Sequence, residues 1–228
     1  MSKNISRDIR TLGYVLKRTN YGEADRILNI ITPMGKITAI AKGVRKTRSK
    51  LAGGIEMFSL VDFNIHVGRS EFGTVTGAKM MRYYGEIMKD FGRLELAGMI
   101  LKKVSRAAEG TESAEYFELV DQSLSEINTG TSLGLIEGWF LLNIMRIAGE
   151  EMNLYRDATG EKLKANVRYN WDEGQMVFVI AENGAFGANE IKMLRLMVTA
   201  KLSTVKRVKI DSEMIEKNLR LIRMVSRV

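Results

Sequence analysis

The first eighty residues alternate short apolar runs with clusters of turn residues. Asn20 to Asp25 has the glycine and Asx content of a turn, and Pro33 and Gly35 favour a tight reversal. Each apolar run has the length of a β-strand, and five strands are predicted, at residues 12–18, 26–32, 36–43, 61–67 and 74–80. In the fourth run apolar and polar residues alternate, which is the pattern of a strand with one buried face.

The spacing of the strands favours a closed barrel. Five short strands fall within about seventy residues, and Gly53 and Gly54 allow a sharp bend or a bulge between the third and the fourth. The OB-fold is the favoured five-stranded barrel for this pattern, and an SH3-like barrel is the main alternative.

After residue 82 the apolar period becomes that of amphipathic helices. One helical stripe is formed by Leu94, Ala97, Leu101, Val104 and Ala108. A second stripe covers residues 117–127, and Thr111 or Ser113 is the predicted cap of that helix. A third run, Leu133–Ala148, is apolar on nearly every side and is predicted to be a central buried helix, with Phe140, Ile144 and Ile147 in the core.

The last third of the chain mixes a hairpin with further helices. Residues 163–181 are predicted to form a β-hairpin with its turn at residues 171–174, and helices follow at 188–202 and 212–226. The chain is therefore predicted to be an α+β protein. Its expected domains are an OB-fold barrel over residues 1–81 and a mostly helical domain over residues 82–228, packed together, with the hairpin insert at about residues 155–184.

Positive charge is concentrated between the third and fourth predicted strands. The sequence KGVRKTRSK, residues 42–50, has no acidic residue and contains five cations, namely Lys42, Arg45, Lys46, Arg48 and Lys50. Residues 1–80 carry 14 Lys and Arg against 6 acids, residues 81–191 carry 11 against 18, and residues 192–228 carry 10 against 3. A basic beginning, an acidic middle and a basic end indicate surfaces for anionic partners, although a basic loop can also be only a solvated loop.

The composition excludes several kinds of chemistry. The chain has no cysteine, which excludes disulfides, thiol catalysis and cysteine-ligated zinc; an all-carboxylate magnesium site stays open. The single histidine, His66, falls on the polar side of the fourth strand, and no phosphate-binding glycine motif occurs. No apolar run approaches the roughly 20 residues of a membrane span, and the N-terminus lacks a signal sequence. We expect a cytoplasmic, non-enzymatic protein without a cofactor.

Nucleic-acid binding is the function that this pattern favours. The ligand face of an OB-fold is formed by strands 2 and 3 and the loops beside them. The predicted DNA-binding residues on or near that face are Arg18, Arg26, Lys36, Lys42, Arg45, Lys46, Arg48 and Lys50. Residues 26–42 contain no aromatic side chain, so base stacking is weak unless Tyr14, Tyr21 or Phe72 supplies it. Phosphate contacts should then dominate, with a log–log salt slope of roughly −3.5 to −4 on single strands.

Four segments of the first eighty residues resemble a known family. They are YGE-x-D-R at 21–26, G-K-I at 35–37, AKGVRK-x-x-S at 41–49, and F-x-L-V-D-F with G-R-x-E-F-G-T-V within 58–75. In order and spacing they resemble the N-terminal OB domain of RecO, the family of bacterial recombination mediators. The rest of the chain resembles that family mainly in its arrangement of helices and hairpin.

The chain departs from the family pattern at two places. Many members carry a four-cysteine zinc site at the hairpin insert, whereas this insert has no cysteine. The insert would then hold by packing through Trp171, Met176 and Phe178. The C-terminus also lacks the R-P-L-R-S-like ending that is usual in the family.

The resemblance implies a non-catalytic DNA repair and recombination protein, active after DNA damage and associated with the nucleoid. Such proteins bind single- and double-stranded DNA and anneal complementary strands. They also contact the acidic C-terminal tail of single-strand-binding protein (SSB) and act with RecR to load recombinase. The residues assigned to an acidic peptide or a second strand are Lys201, Lys206, Arg207, Lys209, Arg220 and Arg223. Two alternatives stay open: an adaptor that docks the SSB tail and RecR with incidental DNA contact, and an OB-fold protein that acts on RNA.

Overall fold

A computed structural model describes residues 7–49, 51–68 and 72–226. The chain divides into two compact units, one ending at Thr129 and one beginning at Gly130. Two helices after the barrel therefore belong to the first unit, although the sequence analysis placed them in the second domain. The predicted domain limits stay a prediction.

The first unit contains a closed five-stranded barrel. Its strands are β1 (Arg7–Tyr21), β2 (Asp25–Thr32), β3 (Gly35–Ala41), β4 (Ser59–Val67) and β5 (Gly73–Tyr83). Their order around the barrel is β1-β2-β3-β5-β4, and β4 pairs with β1 to close it. Neighbours are antiparallel except β3 and β5, which are parallel. The predicted OB-like architecture is confirmed.

The barrel interior follows the period-two pattern of the sequence. On β4 the side chains of Val61, Phe63 and Ile65 are fully buried, while Asn64 and His66, which alternate with them, are exposed. The same core contains Val15, Leu28, Ile30, Ala39, Ala41, Val44, Ile55 and Val75. Each large apolar side chain buried in this way contributes about 1.5–3 kcal/mol, so the core fixes which face of every strand points inward.

The glycine that ends the β2–β3 turn, Gly35, is closely surrounded by other backbone atoms. Gly35 has a φ of 104°, a conformation that side chains other than glycine rarely adopt, and a Cβ placed there would lie 2.5 Å from the Thr111 carbonyl oxygen. The bend predicted at Gly53 and Gly54 is a short 3₁₀ turn, Ala52–Gly54. A Cβ on Gly54 would lie 2.4 Å from the Ala78 carbonyl oxygen, which explains the glycine at that position.

Two helices pack on the barrel within the first unit: α1 (Phe91–Ala107) and α2 (Glu115–Thr129). The Asp90 carboxylate caps α1 by accepting the Arg93 N–H at 2.9 Å. Ahead of α2, the Ser113 hydroxyl accepts the Glu115 N–H at 3.2 Å, so Ser113 rather than Thr111 has the predicted capping role.

A buried tyrosine links β1 to α2. The Tyr14 hydroxyl donates to the Asp121 carboxylate at 2.5 Å and lies 3.0 Å from the Tyr84 hydroxyl. Burial raises the pKa of Tyr14 far above its usual range, and the bond to Asp121 raises it further. The Tyr14 ring also packs against Phe117, with centroids 5.5 Å apart. This face of the barrel is therefore closed to ligands.

The second unit is built around one apolar helix. Its elements are α3 (Leu133–Ala148), β6 (Tyr169–Asp172), β7 (Val177–Ile180), α4 (Ala188–Thr199), α5 (Leu202–Val205) and α6 (Ser212–Val225). The bounds of α3 are those predicted; Phe140 and Ile144 are buried as expected, whereas Ile147 is only half-buried. The helix predicted over 188–202 ends at Thr199, where the Ala200 carbonyl accepts the Trp139 indole N–H at 2.9 Å. None of the described helices combines the length and apolar character needed to cross a bilayer.

The hairpin insert has shorter strands than predicted. Asp172 pairs with Val177, so the turn lies at residues 173–176, two residues later than the sequence indicated. Phe178 is fully buried at the centre of an aromatic cluster, and its ring makes edge contacts with Tyr169, Trp171 and Phe186 at centroid distances of 6.3, 5.0 and 5.7 Å.

The Asp157 carboxylate orders the loop that precedes this hairpin. Asp157 accepts the Thr159 hydroxyl at 2.6 Å, the Thr159 N–H at 2.9 Å and the Glu161 N–H at 3.2 Å, all on one oxygen. The Thr159 hydroxyl bond and the backbone bonds lower the pKa of Asp157. Hydrogen bonds and aromatic packing thus order the insert.

Candidate nucleic-acid interface

The basic loop between β3 and β4 is held by its backbone. The Arg45 N–H donates to the Ala24 carbonyl at 2.9 Å, and the Gly43 N–H donates to the Asp25 carboxylate at 2.7 Å. The Val44 side chain inserts into the barrel core and is 4% exposed. Gly43 has a φ of 64°, which suits glycine and turns the chain away from β3. The loop therefore has a defined position beside the β1–β2 turn.

Four cations of this loop are exposed to solvent: Lys42, Arg45, Lys46 and Arg48, here called the loop cations. The Arg45 guanidinium donates to the Gly22 carbonyl at 3.3 Å, which leaves its other N–H groups available. Within residues 7–49, 51–68 and 72–226 no ion pair involves any of the four. Lys50, also predicted to bind DNA, lies outside the described residues.

Arg18 and Arg26 lie on the inward face of their strands, at the loop end of the barrel. Arg18 is paired across the strands with Leu28, which belongs to the core, and Arg26 is paired with Ala41, which does too. The Arg18 guanidinium forms an ion pair with Glu56 at 3.0 Å, and the Arg26 guanidinium donates to the Asn20 side-chain oxygen at 3.2 Å. Both cations already have partners in the folded chain.

Lys36 lies at the other end of the β2–β3 hairpin. Its ammonium forms an ion pair with Glu109 and donates to the Ser105 carbonyl at 2.9 Å. Only 8% of its side chain is exposed. The structure thus brings together four of the eight predicted DNA-binding residues and places Arg18, Arg26 and Lys36 in contacts within the first unit.

The outer face of β1 adds one cation that the sequence analysis missed. Val15 and Leu16 are both buried because a bulge interrupts the pairing of β1 with β2 between Val15 and Lys17. After the bulge, Lys17 is exposed on the outer face. In the sequence, this irregularity is marked by the adjacent apolar residues Val15 and Leu16, which break the alternation of a regular strand.

The three aromatic residues considered for base stacking have different environments. Tyr14 is buried under α2, and Phe72, just before β5, is half-buried. Tyr21, the last residue of β1, is 54% exposed. It is therefore the aromatic side chain of this set that is open to a ligand.

His66 is on the exposed face of β4, as predicted, with Nδ1 2.8 Å from the Asp8 carboxylate. Among the described residues no group of three or more histidine, cysteine, aspartate or glutamate side chains is arranged to hold a metal ion.

The C-terminal cations differ in their surroundings. Lys201, Lys206, Arg207 and Lys209 are exposed around α5. Arg223, on α6, is bound by Glu137 through two hydrogen bonds of 2.6 and 2.7 Å, which raise the pKa of Arg223. Arg220 lines a groove of about 640 Å³ within the second unit, whose other lining residues include Trp171, Phe186, Lys217, Leu221 and Met224.

Comparison with known proteins covers nearly the whole chain. Residues 6–84 match the family model described as "Recombination protein O N terminal", and residues 88–227 match "Recombination protein O C terminal". The chain is 29% identical over 219 residues to "DNA repair protein RecO" of Dehalococcoides mccartyi, which covers 91% of this chain and 85% of that protein. It is 35% identical over 142 residues to "DNA repair protein RecO" of Rubrobacter xylanophilus, which covers 61% of this chain and 57% of that protein.

Proposed function

The chain belongs to the RecO family of DNA repair proteins, and from that premise we propose that it is a recombination mediator that binds DNA through the loop cations. The observation that carries the proposal is the exposure, on a loop of defined position, of four cations that form no ion pair with any residue the structure describes. Phosphate oxygens are the partners that such cations suit, and phosphates occur in the same form on single and double strands.

Annealing follows from the same chemistry. Cations that neutralise phosphates reduce the repulsion between two complementary strands, while few base contacts leave the pairing edges free. No bond-breaking step is part of this role, and no cofactor is needed. We place the protein at the bacterial nucleoid, where it would act with RecR to load recombinase on DNA coated by SSB.

The test reverses two loop cations in the variant Arg45→Glu with Arg48→Glu. The matched control is Lys102→Glu with Arg106→Glu, which changes the net charge equally on the exposed surface of α1. The loop variant should lose affinity for single- and double-stranded DNA of any sequence and should anneal strands slowly at low salt, because repulsion replaces attraction at the phosphates. The control should behave as wild type, and a loop variant with wild-type DNA affinity would remove the loop from the mechanism.

The groove of the second unit favours a second candidate function, an adaptor for an acidic peptide such as the SSB tail. Arg220 supplies an exposed cation, and Trp171, Phe186 and Leu221 make the wall largely apolar. Glu213 also lines the groove, so a peptide carboxylate would bind at the Arg220 side. A peptide that combines carboxylates with apolar side chains fits such a surface. The Arg223 guanidinium is already bound by Glu137 and is not part of this proposal.

Titrating an SSB-tail peptide and DNA separately distinguishes the two functions. Arg220→Glu should weaken peptide binding, whereas Lys192→Glu, an equal change at an exposed residue of α4 that does not line the groove, should not. Tight peptide binding together with a DNA Kd weaker than about 10⁻⁴ M would favour the adaptor. Replacing DNA with RNA of the same sequence tests the RNA alternative.

A further inference from the structure

Two tyrosines at strand ends of the barrel, Tyr21 on β1 and Tyr83 on β5, are exposed. Tyr14, Phe63 and Tyr84 are buried in or against the barrel, whereas Tyr21 leaves more than half of its surface in water. An exposed tyrosine at a strand end contributes little to the core. The position of Tyr21 relative to the loop cations indicates what it contributes instead.

Tyr21 is next to the attachment points of the basic loop. It pairs with Asp25 across β1 and β2, and the Asp25 carboxylate accepts the Gly43 N–H from the loop. The next residue, Gly22, accepts the Arg45 guanidinium through its carbonyl. Neighbouring strands are about 4.8 Å apart, so about 10 Å separates the end of β1 from Lys42, the residue that follows β3.

The register places Tyr21 on the outer face of the barrel. Leu28 and Ala39 are paired and fully buried, so the pair beside them, Ile27 and Ile40, points outward. Both isoleucines are half-buried, and Ile27 is also paired with Thr19. An apolar surface therefore lies beside Tyr21 on the same outer face, two residues along β2 from Asp25, which pairs with Tyr21.

We propose that Tyr21 is a base-stacking residue and that this face takes a single DNA strand. The loop cations bind its phosphates, the tyrosine ring stacks on one base, and Ile27 and Ile40 contact the strand beside it. A duplex keeps its bases stacked inside and offers only phosphates to the same surface. The inference rests on the proposed DNA-binding function and adds a preference for single strands with accessible bases.

The test compares Tyr21→Ala and Tyr21→Phe with wild type on three probes. These are an oligothymidylate of about 16 nucleotides, the upper site size of one OB-fold, an abasic strand of the same length, and a duplex. Tyr21→Ala should bind the oligothymidylate about 5- to 150-fold more weakly, because one stacked base is lost. Its affinity for the abasic strand and the duplex should equal that of wild type. Tyr21→Phe keeps the ring and should bind all three probes as wild type does.

The outcomes separate this inference from the proposed function. If wild type binds DNA and Tyr21→Ala binds the oligothymidylate equally well, stacking is refuted and the phosphate-binding function stands. An equal loss on all three probes would mean that Tyr21 only supports the loop, which also refutes stacking. If wild type binds none of the probes at low salt, the proposed function fails and the inference fails with it. Because Tyr21 is exposed, unchanged thermal unfolding of the variants confirms that each is folded.

Discussion

Neutralising the loop cations gives a quantitative test of phosphate binding. The variant replaces Arg45, Lys46 and Arg48 with alanine and leaves Lys42 as the one remaining loop cation. Each cation that neutralises a phosphate on a single strand contributes about 0.7 to the slope of log affinity against log salt concentration. The four loop cations alone therefore give a slope of about −2.8, and the variant keeps about −0.7 of it.

The difference in salt dependence between wild type and the triple alanine variant is large enough to measure directly. Raising the salt from about 50 mM to about 200 mM should weaken wild-type binding about 50-fold through the loop cations, and variant binding only about three-fold. Lys17 and Lys50 add to the slope of both proteins if they also bind phosphates. The difference of about 2.1 between the two slopes does not depend on them, because it comes from the three replaced side chains.

Fluorescence anisotropy with a labelled oligothymidylate at several salt concentrations measures both slopes. The control variant replaces Lys89, Lys102 and Arg106 with alanine, which removes three exposed cations from the helical part of the first unit. Its slope should equal that of wild type. Equal slopes for the loop variant and wild type would refute phosphate binding by the loop, and an equal decrease in the control would show that only net charge matters.

Three further predictions concern stability. Gly35→Ala should lower the Tm strongly in thermal unfolding followed by circular dichroism, because its Cβ would collide with the Thr111 carbonyl and its φ is positive; an unchanged Tm would contradict the packing of this hairpin. Tyr14→Phe should destabilise the first unit by about 1–3 kcal/mol in urea, since Asp121 loses a buried donor, with DNA affinity unchanged. Asp157→Ala should lower the Tm at neutral pH. Because the folded pKa of Asp157 is lowered, its contribution is present above the unfolded pKa of about 3.9 and is lost as pH falls through the folded pKa, so the difference from wild type should shrink in acid.

Local periodicity predicted most of the elements because it reflects which face of each element is buried. The alternation on β4 and the apolar run of α3 are such patterns, and both elements are where they were expected. The pattern fails where the backbone leaves its regular period. The bulge after Val15 moves Lys17 to the outer face, and the break at Ala200 ends α4 early.

Partners distant in sequence are the main reason that the candidate site could be predicted only in part. Composition identifies Arg18 and Lys36 as cations on the strands beside the basic loop. It contains no sign that Glu56 and Glu109, 38 and 73 residues away, form ion pairs with them. The four loop cations were predictable because no acid occurs in residues 42–50.

The way in which the basic loop is attached explains how it can be both ordered and available to a ligand. Its contacts with the β1–β2 turn use the N–H groups of Gly43 and Arg45, and the Asp25 carboxylate accepts a backbone N–H rather than a guanidinium. The Asp25 carboxylate at the start of β2 is therefore bound by the backbone, and among the described residues it forms no ion pair with a loop cation. In contrast, Lys36 has its charge bound at the other end of the same hairpin. Ordering the loop through its backbone lowers the entropy that DNA binding would otherwise cost. Apart from the one Arg45 N–H that the Gly22 carbonyl accepts, it leaves the cationic groups available to phosphates.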